Sequence, residues 1–182
     1  MMKKALNLVV GAPASGKTTF ARRLATRRKA ALFDIDECTE TLVRAALTAM
    51  GESPDDRDSP VFKTTFRDPI YQSLMDMARG NLGHVDVVVC GPFTKEMRNP
   101  NWLQDVQAQI GLPCSVRAYF VYCDSEVRRS RMLARGNPRD ASKLADWSAH
   151  EAYYLGSPSP LYPHVAVDTA SEESIERSLR VD

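Results

Sequence analysis

A glycine-rich segment near the amino terminus constrains the fold of this chain more than any other feature. It fits the pattern G-x-x-x-x-G-K-[ST] and lies between a short apolar run, residues 5–10, and the start of a helical pattern at Thr18. A strand, a glycine loop and a helix in this order are typical of a parallel α/β sheet. The segment, called the phosphate loop below, consists of Gly11, Ala12, Pro13, Ala14, Ser15, Gly16, Lys17 and Thr18, and Thr19 follows it.

The spacing of these residues explains why such a loop binds phosphate. Gly11 and Gly16 let the backbone turn so that successive N–H groups point inward, and the positive end of the following helix adds to this anion nest. Lys17 supplies a cation for the β- and γ-phosphates, and the Thr18 hydroxyl can ligate Mg²⁺. We therefore predict that residues 11–19 bind a nucleotide together with Mg²⁺, since a turn that merely uses glycine leaves Lys17 and Thr18 unexplained.

Composition limits the class of protein. With 182 residues, of which 43% are hydrophobic, the chain can form one α/β domain with a substantial core. The 24 basic and 23 acidic residues nearly balance, so any site for a polyanion must be local. No apolar stretch approaches a membrane span, and the segment before the phosphate loop is too short for a signal peptide. We expect a cytoplasmic protein without a membrane partner, and free, buried cysteines at Cys38, Cys90, Cys114 and Cys123.

Strand-like runs alternate with helical stretches along the whole chain. This order predicts a parallel sheet covered by helices on both faces, within a single domain spanning residues 1–182. Strands are expected near 5–10, 30–34, 86–90, 116–122 and 165–167. Helices are expected from 18, over 37–50, 61–82 with a restart at 68, 100–110, 124–135, 142–155, and from 171, with a polar loop at 51–60 and a breaker-rich loop at 156–163.

Two carboxylates follow the second predicted strand. Asp34 and Asp36 are two residues apart, so in an extended segment both side chains can face the crevice at the carboxyl ends of the strands. One could support Mg²⁺, and the other could accept the proton of an attacking hydroxyl. The alternative is that Asp36 only caps the next helix. Cys90 stands where many nucleotide-hydrolysing proteins have an aspartate for Mg²⁺, which favours Asp34 as the metal ligand.

Arginines recur on the helix after the fourth predicted strand. Arg128, Arg131 and Arg135 share one face, and Arg139 follows the break at residues 136–138. This pattern suits a lid near residues 128–145 that closes on phosphates. The alternative is a solvated basic face.

The segment after the third strand could bind an acceptor. A Gly-Pro turn at residues 91–92 ends a buried strand, and basic residues follow it. We predict contacts to an anionic or polar acceptor from Phe93, Lys95 and Arg98, joined by Arg67 from the start of a helix. An ordinary charged surface loop is the alternative.

In these motifs the chain resembles small P-loop kinases of the gluconate kinase, shikimate kinase, chloramphenicol phosphotransferase and polynucleotide 5′-kinase type, a group often called AAA family ATPases. The resemblance implies a three-layer α/β sandwich with a five-stranded parallel sheet in the order 2-3-1-4-5. It also implies that Asp34 serves the metal, Asp36 the acceptor hydroxyl, and Arg131 and Arg135 the ATP phosphates. The phosphate loop departs from a common form because Ala14 stands where glycine is frequent.

The function expected from this resemblance and from the motifs is ATP-dependent phosphoryl transfer to a hydroxyl group of a small molecule. Lys17, Asp36, Arg131 and Arg135 are the predicted catalytic residues. Two alternatives remain: a kinase acting on the 5′-hydroxyl of a polynucleotide, and a nucleotide-binding ATPase or regulator without a small-molecule acceptor. The sequence indicates neither the acceptor nor the oligomeric state.

Overall fold

Five parallel strands form the central sheet, in the order β2-β3-β1-β4-β5. A computed structural model describes residues 3–155 and 159–181. β1 pairs with both β3 and β4, so that Leu8 lies beside Val89 on one side and Ala118 on the other. This topology confirms the predicted sheet order. The strands are Lys4–Val10 (β1), Ala31–Asp34 (β2), Val87–Cys90 (β3), Cys114–Tyr122 (β4) and Val165–Asp168 (β5).

Helices connect the strands, and local capping determines where several of them begin. The Asp34 side chain accepts a hydrogen bond from the backbone of Asp36 at the start of α2, and the Ser59 and Ser171 side chains cap α3 and α9 in the same way. The helices are Lys17–Arg28 (α1), Ile35–Ala49 (α2), Pro60–Thr65 (α3), Arg67–Asn81 (α4), Trp102–Ile110 (α5), Ser125–Arg135 (α6), Ala141–Ala145 (α7), Trp147–Leu155 (α8) and Glu172–Leu179 (α9).

The sheet is buried on both faces, which produces three layers. Alternate residues of β1 point to opposite sides, so Leu8 packs with α4 and α5 while Val9 packs with α1 and α9. Leu74 and Phe20, one on each side, are essentially inaccessible to solvent. Each such side chain contributes about 1.5–3 kcal/mol when it leaves water. The carboxyl ends of the strands are thereby held as a rigid edge.

Two predicted helices are each divided in the structure. The segment 61–82 contains α3 and α4, which meet at Phe66, and α4 begins at Arg67, one residue before the predicted restart. The segment 142–155 contains α7 and α8, which are separated at Asp146, where φ −132° and ψ 75° lie outside the helical region. The Asp146 carboxylate accepts the backbone N–H of Ala149 at 3.0 Å, so a local cap competes with continued helix there.

The remaining boundaries shift by two residues or fewer, and part of the predicted loop at 156–163 lies outside the described residues. Within residues 3–155 and 159–181, no helix combines the length and the apolar character needed to cross a bilayer.

Candidate active site

A large cleft opens at the carboxyl ends of β1, β2 and β3. Its volume is about 1030 Å³, and it is walled by the phosphate loop, the segments after β2 and β3, and the segment 131–150. Open parallel sheets place their ligands at this edge. Most predicted site residues line the cleft, namely Pro13, Ala14, Gly16, Lys17, Thr18, Thr19, Asp34, Asp36, Arg67, Lys95, Arg98, Arg131 and Arg135.

The backbone of the phosphate loop requires its glycines. Gly11 has φ +143°, and a Cβ atom there would lie 2.2 Å from the Val121 carbonyl oxygen. Gly16 has φ +95° and lies against the Thr169 side chain. Ala14 is also left-handed, with φ 61°, a conformation that costs a non-glycine residue about 1–2 kcal/mol. This conformation is the physical reason why glycine suits the position, and the loop retains it with alanine.

Lys17 lies on the floor of the cleft with its ammonium group directed back over the loop. Its Nζ donates to the Ala12 carbonyl oxygen at 2.7 Å. Burial lowers the pKa of Lys17, and the carboxylates of Asp36 and Asp34 oppose that shift. An anion bound in the loop would offset the free-energy cost of burying the ammonium group. The position of Lys17 therefore favours the binding of an anion.

Thr18 and Asp34 meet where α1 approaches the end of β2. The Thr18 hydroxyl donates to Asp34 Oδ2 at 2.8 Å, and Asp34 Oδ1 accepts the backbone N–H of Asp36 at 3.0 Å. Asp34 is only 3% exposed and therefore fixed. The two oxygens are hard ligands of the kind that Mg²⁺ takes, and they lie beside Lys17 in the cleft, so the donor set fits the metal.

Burial, together with the charge of Asp34, raises the pKa of the neighbouring Cys90 thiol well above its ordinary value, which keeps it protonated at neutral pH.

Asp36 faces the other part of the cleft and is accessible. Its carboxylate pairs with Arg139 Nη2 at 2.9 Å, and Arg139 Nη1 donates to Glu40 Oε2 at 2.8 Å. Glu40 also accepts from Arg57 at 2.8 Å. Asp34 caps α2 and Asp36 is the second residue of that helix, so the two residues do not share an extended segment, and the Asp36 carboxylate pairs with Arg139 instead of capping the helix.

The arginines of the predicted lid point to different partners. Arg128 is buried and pairs with Glu151, so its role is to pack α6 against α8, which differs from the phosphate contact considered for it. Arg135 pairs with the buried Asp140, with Nη2 2.8 Å from Oδ1. Arg131 instead reaches the phosphate loop, where its Nη1 lies 3.4 Å from the Ala14 carbonyl oxygen. Only the last arrangement places an arginine against the loop itself.

Four basic residues that line the cleft are called here the basic wall: Lys63, Arg67, Lys95 and Arg98. Arg67 is held by Glu96, with Nη2 2.7 Å from Oε2, and it lies over the Tyr71 ring. Phe93 lies in the hydrophobic core and not on the basic wall. It is 1% exposed and packs between the rings of Tyr71 and Trp102, so its placement does not support the predicted contact with an acceptor.

Sequence reasoning missed a second set of cleft residues. Arg57 and Asp58 of the predicted polar loop line the cleft, as do Glu40 and Lys143. Lys143 Nζ lies 3.0 Å from Asp58 Oδ2, and this pair joins the loop to α7. Of these four residues, only Glu40 could have been predicted from the sequence. It follows Asp36 by one helical turn and therefore lies on the same face of α2.

The sequence matches a known protein family. A sequence model of the AAA domain family matches residues 6–154, which is most of the chain. The chain belongs to the AAA domain family. No functionally curated protein matches the sequence.

Solved structures share its fold at low identity. A sugar kinase from Janibacter sp. HTCC2649 has a TM-score of 0.61 at 19% identity, covering 98% of this chain and 93% of that one. A gluconokinase from Sinorhizobium meliloti has a TM-score of 0.52 at 15% identity, covering 99% and 90%. Kti12 from Chaetomium thermophilum, solved with ADP-AlF3, has a TM-score of 0.56 at 18% identity, covering 96% and 95%. The fold is therefore that of P-loop kinases, which confirms the resemblance inferred from the motifs.

Proposed function

We propose that this protein is an ATP-dependent kinase that transfers the γ-phosphoryl group to a hydroxyl group of a small molecule. The observation that carries the proposal is the arrangement of one cleft. Lys17, the Thr18–Asp34 pair, the accessible Asp36 and the basic wall all line it. A volume of about 1030 Å³ accommodates a nucleotide and a small acceptor together.

The phosphate loop would hold the triphosphate through its backbone N–H groups and Lys17. Thr18 and Asp34 would hold Mg²⁺, with phosphate oxygens and water completing its shell. Bound Mg²⁺ would supply positive charge next to the β- and γ-phosphate oxygens. Arg131 lies close enough to the loop to stabilise the charge that develops on the transferred group.

Asp36 would act on the acceptor. As the acceptor oxygen forms its bond to the γ-phosphorus and the bond from that phosphorus to the β-bridging oxygen breaks, Asp36 accepts the hydroxyl proton, and ADP leaves with the electron pair. The carboxylate is held by Arg139 on one side, which orients it.

The variant Asp36→Asn tests this assignment. Thermal-shift screening of alcohols, sugars, antibiotics and nucleosides with Mg-ATP would first identify an acceptor, because a bound ligand raises the melting temperature. With that acceptor, we expect Asp36→Asn to lower kcat by about 10²–10⁴-fold with little change in the KM for ATP.

Glu37→Gln is a matched control, because Glu37 is adjacent but pairs with Arg22 at the surface. Transfer by Asp36→Asn at a rate near that of the wild type would show that Asp36 is not the base.

The basic wall favours a second candidate, a kinase for the 5′-hydroxyl of a polynucleotide. Lys63, Lys95 and Arg98 lie in the same cleft as Asp36 and could contact backbone phosphates. Retention on single-stranded oligonucleotides that weakens with salt, and phosphorylation of their 5′ ends, would favour this acceptor over a small molecule. The absence of both would remove it.

A further inference from the structure

Unlike Arg135 and Arg139, Arg131 has no carboxylate partner among residues 3–155 and 159–181. Arg135 pairs with Asp140, and Arg139 pairs with Asp36 and Glu40. The Arg131 guanidinium instead donates to neutral acceptors: Thr169 Oγ1 at 3.0 Å, Thr169 O at 3.3 Å, Cys123 Sγ at 3.3 Å and Ala14 O at 3.4 Å. Its positive charge is therefore fixed in place but not neutralised.

The Thr169 side chain connects this arginine to the phosphate loop. Its hydroxyl accepts from Arg131 Nη1 and donates to the Ser15 carbonyl oxygen at 2.7 Å. Its methyl group lies 3.1 Å from the position that a Cβ of Gly16 would occupy. One side chain thus touches the loop at two consecutive residues and holds Arg131 at the same time.

The backbone around Thr169 is itself fixed, so the hydroxyl has a defined position. Thr169 N donates to the Tyr122 carbonyl oxygen at 2.9 Å, which ties the segment to the end of β4. Asp168 N donates to Ser174 Oγ at 3.0 Å, and Ala170 N donates to Asp168 Oδ1 at 2.9 Å, which tie it to α9 and close the turn. The end of β5 is therefore a rigid support for Arg131.

We propose that Thr169 is a positioning residue that orients Arg131 over the phosphate loop for stabilisation of the transferring phosphoryl group. The inference rests on the proposed kinase function. A guanidinium held by a hydroxyl and by carbonyl oxygens keeps its full charge for an anion, whereas one held by a carboxylate must first exchange partners. Groups that are oriented before the reaction stabilise a transition state most effectively.

Calorimetric titration of nucleotides with and without aluminium fluoride tests the proposal and needs no acceptor. ADP with aluminium fluoride and Mg²⁺ resembles the transferring phosphoryl group, whereas ADP alone occupies only the nucleotide position. We expect the wild type to bind the aluminium fluoride complex more tightly than ADP. Thr169→Val, which removes the hydroxyl and keeps the shape, should reduce that ratio about tenfold and leave the affinity for ADP unchanged.

Four further variants show whether the effect is specific to the Thr169 hydroxyl. Thr169→Ser retains the hydroxyl and should keep the wild-type ratio, while Thr48→Val on the exposed face of α2 controls for the substitution itself. Arg131→Met should also reduce the ratio of the two affinities. Adding Thr169→Val to Arg131→Met should reduce it no further, because the threonine acts through the arginine.

The outcomes separate the two proposals. An unchanged ratio in Thr169→Val, or a loss in Thr169→Ser equal to that in Thr169→Val, would overturn the positioning role. Equal loss of ADP affinity and aluminium fluoride affinity in Thr169→Val would also overturn it, because the residue would then only support the loop. A wild-type protein that binds ADP but gains nothing from aluminium fluoride would contradict the proposed kinase function itself.

Discussion

At the scale of single residues, two features of the cleft destabilise the folded chain but prepare a site for an anion. Lys17 is placed where burial lowers its pKa, and Ala14 holds a left-handed backbone conformation. Neither feature stabilises the folded chain in the absence of a ligand. Both are understandable if the loop must direct N–H groups and an ammonium group toward the same phosphates.

Replacement of Lys17 by methionine should therefore stabilise the protein without nucleotide. The cost of a buried ammonium is fully present below the lowered pKa of Lys17, where the lysine is protonated in both the folded and the unfolded state. We expect Lys17→Met to raise Tm by about 2–4 °C for each kcal/mol of this cost that is removed. Thermal unfolding of both proteins from pH 7 to pH 11 is the measurement.

The pH dependence of the difference in stability tests whether burial of the Lys17 charge is the cause. As pH rises through the lowered pKa of Lys17, the folded wild type loses the charge first, so its stability increases relative to the variant. Above the ordinary lysine value of 10.5 the difference should disappear. A variant that melts below the wild type at pH 7, or a gap that does not change with pH, would show that burial of Lys17 is not costly.

At the scale of elements, the sequence predicts the parts of the site that depend on local patterns. The phosphate loop is recognised because Gly11, Gly16 and Lys17 stand at fixed spacing between a strand and a helix. Asp34 is found because it ends a strand, and Asp36 because it follows two residues later, although it lies in the first turn of α2 rather than in an extended segment. The partners of the arginines are not predictable in this way, because Asp140 and Glu151 reach them only after α6, α7 and α8 have folded together. Thr169 is separated from Ser15 by 154 residues, and only the assembled sheet brings them into contact.

The buried pair between α6 and α8 should be important for the stability of these helices. The side chains of Arg128 and Glu151 are only 7% and 11% exposed, so Glu151→Gln leaves a buried guanidinium without this carboxylate. We expect a loss of about 3–5 kcal/mol in the free energy of unfolding, measured by urea denaturation.

A surface pair serves as the control for this prediction. Glu173→Gln removes the partner of Arg177, where the two side chains are 84% and 73% exposed, and should change the free energy of unfolding by less than about 1 kcal/mol. Equal effects of the two variants would mean that the Arg128–Glu151 pair does not hold α6 against α8.

At the scale of the whole molecule, the sheet edge brings together three segments that are distant in sequence. The phosphate loop, the end of β2 and the segment after β3 all line the cleft, and the segment after β3 contributes to the basic wall. The loop 51–59 and α7 meet at Asp58 and Lys143, and Arg57 and Arg139 share Glu40. The nucleotide side is therefore rigid and built on strands, whereas the opposite side is joined by ion pairs on loops and short helices. Such a division suits a fixed phosphate donor and an acceptor that enters and leaves.

The central claim, that the phosphate loop binds a nucleoside triphosphate through its backbone and Lys17, is tested most directly by calorimetric titration of Mg-ATP into the folded wild type and into Lys17→Met. We predict saturable heat for the wild type and an affinity at least about tenfold weaker for the variant, because a charge-assisted contact to the β- and γ-phosphates is lost. Folded wild-type protein that gives no heat with any purine triphosphate, or equal binding by the two proteins, would contradict the account.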